Sequence, residues 1–213
     1  MLTVEDINKI EDPLERRKLK IQIIERHKRK ELKQVRTKFL PFVKKMWPDF
    51  IEGSHHTEIA DKFNKLATGE LTRLIINMPP RHTKSEFASF FLPAWMIGQN
   101  PKLKIIQATH TAELAVNFGR KTKHLIDSQE YQEVFKTRLQ EDSKAAGRWN
   151  TSDGGEYFAV GVQGAVTGRG ADLLIIDDPH SEQDVNSPSA FDNAYEWYTS
   201  GPRQRLQPGG RIV

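Results

Sequence analysis

The chain of 213 residues contains no cysteine. Disulfides and cysteine-ligated zinc are therefore excluded, and a reducing compartment is expected. No apolar run approaches the roughly 20 residues that a membrane span requires, so no membrane partner is expected. The opening Met1-Leu2-Thr3-Val4-Glu5-Asp6 lacks the basic and apolar regions of a signal peptide, which makes the cytosol the expected location.

Hydrophobic content of 37% and charged content of 28% suit one sizeable α/β domain with a small accessory segment. The net charge of +4 is unevenly spread, because residues 1–45 carry 14 Lys/Arg against 7 Asp/Glu. Residues 16–38 are basic and free of glycine and proline, which predicts a helix. Such a face can meet nucleic acid or another acidic surface. Alternatively it is solvated, with Leu19, Ile23, Ile24, Leu32 and Val35 packed inward. Pro41, Pro48 and Gly53 punctuate its end, so the expected division is a basic helical segment over 1–45 and a core over 46–213.

Within the core, helical spacing covers 56–67 and stops at Gly69, and 74–78 reads as a buried strand. Residues 87–97 are apolar nearly all round, as in a helix under a sheet, with a kink expected at Pro93. A strand over 104–109 precedes a helix over 111–128 with Thr111 as N-cap. A hairpin turns at Asp153-Gly154-Gly155, and 173–176 forms a further strand. Phe191, Tyr195, Trp197 and Tyr198 mark a helix whose aromatics read as core packing. Pro208-Gly209-Gly210 then turns into the first residues of another strand, Arg211-Ile212-Val213. Strands alternating with helices predict a mostly parallel sheet covered on both faces.

Two of the apolar runs end in chemistry. Leu74-Ile75-Ile76-Asn77-Met78 leads into Pro79-Pro80-Arg81-His82-Thr83-Lys84-Ser85, and Leu173-Leu174-Ile175-Ile176 leads into Asp177-Asp178. A strand, a tight loop and a helix aim backbone N–H groups at an anion. Lys84 is then placed for the β- and γ-phosphates of a nucleotide, and the Ser85 hydroxyl for Mg²⁺. Arg81 adds a second cation, and Pro79-Pro80 stiffens the turn. Asp177 is placed to hold Mg²⁺, and Asp178 to orient or deprotonate an attacking water. The pattern G-x-x-x-x-G-K-[ST], however, puts Met78 and Thr83 where glycines belong.

Together with Thr167-Gly168-Arg169-Gly170-Ala171-Asp172 and the closing Arg205-Leu206-Gln207-Pro208-Gly209-Gly210-Arg211-Ile212-Val213, these segments resemble the large terminase subunit of tailed double-stranded DNA bacteriophages. The resemblance runs over residues 40–213. It implies a P-loop NTPase of the additional-strand type, related to RecA and helicases. The implied activity is ATP hydrolysis that drives double-stranded DNA into a procapsid in the host cell cytoplasm. The implied partners are DNA, a portal protein, a small terminase subunit and further copies in a ring. By the same resemblance, Pro79 to Ser85 form the Walker A loop and Asp177 the Walker B metal position. Asp178 stands where relatives place a catalytic glutamate, with Glu182 as the fallback. Arg169 is either the trans arginine finger, ahead of Arg203 and Arg205, or a surface loop arginine that balances Asp172, and His55-His56 stand where relatives hold an adenine-recognition segment. The coupling motif and the nuclease domain are expected beyond Val213, so nuclease activity is not expected from these residues.

Two other readings remain open at this level. One is a helicase-like or other nucleic-acid-dependent P-loop ATPase. The other is a non-catalytic nucleic-acid-binding module whose loop has decayed, as the missing glycines would allow.

Overall fold

In the computed structural model, residues 12–143 and 145–213 are described. The opening hexapeptide, read above for the absence of a signal peptide, lies outside them. Asp12 accepts a hydrogen bond from the Leu14 N–H and starts helix α1 (Pro13–Thr37), with proline where its missing N–H costs nothing. The basic helix is thus present, but Val35 is its only buried residue. Ile24 is 66% exposed, so inward packing is confined to the C-terminal turns. Helix α2 (Phe39–Met46) follows at once. Pro41 sits in its first turn, where a helix leaves N–H groups unpaired anyway, and so does not end the helix. Phe39, Phe42 and Val43 are fully buried, so the core already includes chain on the N-terminal side of residue 46. Helix α3 (Ser54–Thr68) stops at Gly69, whose φ of 81° is the left-handed C-cap conformation that glycine supplies without a Cβ clash.

The apolar run after the Lys-Ser loop is helical, though not a simple kinked α-helix. Glu86–Phe91 wind as a π-turn before α4 (Leu92–Gln99). The Leu92 N–H bonds the Phe87 carbonyl five residues back, and Pro93 follows immediately. Proline cannot donate to the carbonyl four residues behind it and its ring clashes there, so the wider turn absorbs the fault.

The sheet comprises β1 (Lys104–Thr109), β2 (Arg148–Asn150), β3 (Glu156–Gly161), β4 (Ala171–Asp177) and β5 (Leu206–Ile212), in the order β2-β3-β1-β4-β5. Only the β2–β3 hairpin is antiparallel. Helices α5 (Ala112–Asp127), capped by the Thr111 hydroxyl, and α6 (Gln129–Val134) pack with α1 to α4 on one face. On that face Phe39 meets Phe63, Phe87 and Trp95 edge-on at 5.0, 5.3 and 5.5 Å. The other face is smaller, covered by Val166 of the β3–β4 connection and by Trp197 and Tyr198 of α7 (Pro188–Ser200). The chain is therefore α/β with a five-stranded, mostly parallel sheet flanked by helices. Among the described residues no helix is long and apolar enough to cross a membrane.

Three expectations need correction. Residues 74–78 are extended but not a buried strand, since Ile75 is 86% exposed. Among the described residues their only pairing is at the base, where Arg73 bridges Ile212 and the Leu74 N–H bonds the Ile212 carbonyl. They lie along the outer side of β5. Pro208-Gly209-Gly210 is not a turn before a strand but a bulge inside β5, with Gly209 at φ 78°. On α7 the aromatics divide: Trp197 and Tyr198 pack on the sheet, whereas Phe191 and Tyr195 are 44% and 65% exposed.

The two ends of the packing gradient are measurable by urea unfolding. Phe39→Ala is expected to cost about 3–5 kcal/mol, as for any large aromatic deleted from a close-packed core. Ile24→Ala is expected to stay within about 0.5 kcal/mol.

Candidate functional site

Parallel pairing of β1 with β4 brings Thr109 level with Asp177, so the β4 carboxylates stand at the C-terminal edge of the sheet. That edge is where open α/β sheets bind ligands. Residues 79–85 rise to the same edge from the far side of β5. The Lys84 ammonium donates to the Asp178 carboxylate at 2.5 Å, joining segments 94 residues apart. Lys84 is 22% exposed and Asp178 64%, and both line a cleft of about 600 Å³. Residues 74–78 form one wall of this cleft and 175–179 the other.

Asp177 is only 6% exposed, which for a carboxylate demands partners. The Ser89 hydroxyl donates to its Oδ2 at 2.8 Å, and Gln107 donates its amide N–H to Ser89 at 3.1 Å. Ser89 and Gln107 are themselves fully buried. Ser89 lies on the π-turn and Gln107 on β1, so a buried polar chain ties the helix after the loop to two central strands.

The loop backbone is unusual. Arg81, Thr83 and Asp178 have φ of 64°, 63° and 43°, in the left-handed region that non-glycine residues avoid. For a β-branched residue such as Thr83 this costs about 1–2 kcal/mol. Thr83 is the residue that stands where the phosphate-loop pattern asks for glycine, and it adopts the conformation that glycine would supply. Its hydroxyl is held from two sides. It donates to the His82 carbonyl at 2.6 Å and faces His56 Nε2 at 2.6 Å. His56 Nδ1 accepts from the Gly53 N–H at 2.8 Å, so the neutral ring carries its proton on Nε2 and donates to Thr83. His56 is 4% exposed, between Phe50 and Phe87 and beside His55. Burial, then the neighbouring His55, hold its pKa below the usual 6.5, against a smaller upward pull from Glu52.

Not every expected residue converges. Lys84, Asp177 and Asp178 do, with Ser85 half-buried at the head of the helix. Pro79, Pro80 and Arg81 are exposed on the loop, and Arg81 makes no hydrogen bond or ion pair among the described residues. His82 turns back on its own loop, its Nδ1 at 2.9 Å from the Pro80 carbonyl. Arg169 lies just before β4, at the opposite edge of the sheet from Lys84. It is ion-paired to Glu156, lies 3.8 Å over the Phe158 ring, and is 18% exposed. Asp172, three residues on, accepts from the Lys104 N–H. Glu182 is exposed on a 3₁₀ turn (Glu182–Asn186).

Ser89 and Gln107 were not expected at the site, and His56, read with His55 as standing in an adenine-recognition segment, was not expected against the phosphate loop. For two of them a signal was present: Ser89 is the lone hydroxyl in an apolar helix, and Gln107 the lone amide in an apolar strand. A buried polar residue among apolar neighbours has to be bonded to something. His56 had no such mark, because its partner lies in a loop 27 residues away.

The oxygen donors fit a hard cation with a nucleotide. Ser85 and Asp177 offer a hydroxyl and a carboxylate. Among the described residues no three His, Cys, Asp or Glu side chains form a cage, so Mg²⁺ would draw its other ligands from phosphate and water, as it commonly does. Compared with known proteins, the chain matches no protein-family model and no curated protein.

The depressed His56 pKa gives stability a direction with pH. As pH falls below 6.5, the unfolded chain takes up a proton that the folded ring refuses, so the unfolding free energy falls. His56→Gln, which keeps a donor and an acceptor but does not titrate, is expected to flatten that slope in urea unfolding across the acid range. Ser89→Ala, which leaves the buried Asp177 oxygen without its hydroxyl donor, is expected to cost about 1–3 kcal/mol in the same assay.

Proposed function

We propose that this chain is an ATP-hydrolysing motor domain of the terminase large-subunit kind, which moves double-stranded DNA into a procapsid. The observation that carries the reading is the Lys84–Asp178 contact. A loop lysine, delivered at the head of a helix, meets the acidic tip of a parallel strand across an open cleft. An ordinary solvated loop lysine would have no cause to meet that tip. The left-handed Thr83 adds support, since the loop takes a glycine's conformation without the glycine. Strand order adds more. β5 lies between β4 and the base of the loop segment, where Arg73 bridges Ile212, as an additional-strand P-loop NTPase requires. The resemblance in the sequence supplies the DNA-packaging assignment, with portal protein, small subunit and a ring of copies as partners.

In this reading the loop N–H groups and Lys84 bind the β- and γ-phosphates. Ser85 and Asp177 would hold Mg²⁺, which when bound would supply positive charge to the phosphate oxygens. Without nucleotide, Lys84 and Asp178 neutralise each other. Phosphate draws Lys84 away, and Asp178 is released to orient the attacking water. Arg81, without an ion pair among the described residues, can fork onto phosphate from within the loop. Arg169 would first have to leave Glu156 before serving a neighbouring subunit.

Titration with a labelled ATP analogue tests the reading. Saturable, Mg²⁺-dependent binding that is lost in Lys84→Ala is expected, and its absence in the unaltered chain overturns the proposal. Asp178→Asn is expected to keep nucleotide binding while lowering kcat by about 10²–10⁴-fold, the usual contribution of a positioned base.

A further inference from the structure

Left-handed backbone at a threonine persists only where its surroundings over-determine it. The Thr83 carbonyl accepts from the Phe87 N–H at 2.9 Å, and its side chain is held by one chain of hydrogen bonds. It runs from the Gly53 N–H to His56 Nδ1, from His56 Nε2 to the Thr83 hydroxyl, and from that hydroxyl to the His82 carbonyl. The links are directional: only the neutral ring with its proton on Nε2 completes them. His56 itself cannot drift, being 4% exposed in the first turn of α3 and wedged between Phe50 and Phe87 at 4.8 and 5.0 Å. Phe87 belongs to the helix that follows the loop, so one imidazole touches both the loop and the element that carries Lys84 and Ser85.

We propose that His56 is a positioning residue for the phosphate loop, replacing through a hydrogen bond the conformational freedom that a glycine in place of Thr83 would give. It does not touch the nucleotide. It holds Thr83 in the left-handed conformation, so that the next residue, Lys84, leaves the loop toward Asp178. A glycine there needs no such hold, because it reaches φ of 63° without a Cβ penalty. His56 and Thr83 are therefore coupled, and a loop carrying Thr83→Gly would be indifferent to residue 56. The inference rests on the nucleotide-binding reading for its consequence, though not for the clamp itself.

A double-substitution cycle with two readouts tests it. The first, hydrogen–deuterium exchange of the loop amides over 81–84 without nucleotide, is independent of any ATPase activity. His56→Ala is expected to speed that exchange when Thr83 is kept. In the Thr83→Gly background the same change is expected to have no effect. His56→Gln, which can accept from Gly53 and donate to Thr83, is expected to restore protection and guards against simple unfolding by the alanine. The second readout is affinity for a Mg²⁺–ATP analogue. His56→Ala is expected to weaken it about tenfold with Thr83 in place, and by less than about twofold in the Thr83→Gly background. Equal effects of His56→Ala on exchange in both backgrounds, or on affinity where the unaltered chain binds nucleotide, overturn the clamp. Coupled exchange without any nucleotide binding in the unaltered chain keeps the clamp and overturns the ATPase reading instead.

Discussion

A buried carboxylate sets the terms for this fold. Asp177 ends a central parallel strand with almost no access to water, and the Ser89 hydroxyl is what makes that burial tolerable. Ser89 reaches it because the helix after the loop opens into a π-turn just before Pro93, and Gln107 holds Ser89 from the neighbouring strand. The same helix carries Lys84 and Ser85 at its head. Pinning its second turn to the tip of β4 therefore delivers the loop to the edge of the sheet where both aspartates emerge.

The loop is held from the other side as well. His56, fixed by the Gly53 N–H and two phenylalanine rings, bonds the hydroxyl of a threonine whose backbone is strained. The loop thus has two anchors, a polar one under the helix and an imidazole beside the turn. Cavity and charge meet between them. Lys84 and Asp178 face the cleft and neutralise each other there, a contact that an arriving polyphosphate replaces in the proposed reading.

Most elements follow from local pattern. Lys104–Thr109, the hairpin around Gly154, and the helices ending at Gly69 and starting at Thr111 obey periodicity and capping rules that need no tertiary knowledge. Residues 74–78 depart because an apolar run is buried only if strands flank it, and among the described residues β5 pairs with its base alone. The setting of Arg169 was not legible either, because spacing along a chain does not say which edge of a sheet a loop occupies. The 3.8 Å stacking on Phe158 and the pair with Glu156 were not readable from Thr167-Gly168-Arg169-Gly170.

By itself, then, the sequence determined the alternation of strands and helices, the two chemical tips, and the oddity of Thr83. Those are consequences of local propensity and of which residue types stand at the ends of apolar runs. The tertiary structure alone decided that Lys84 meets Asp178, that Ser89 and Gln107 support Asp177, and that His56 is the partner which makes Thr83 tolerable. Each of these is a bond between residues distant along the chain. Hydrogen bonds of that kind depend on strand order and helix register, which no single segment encodes.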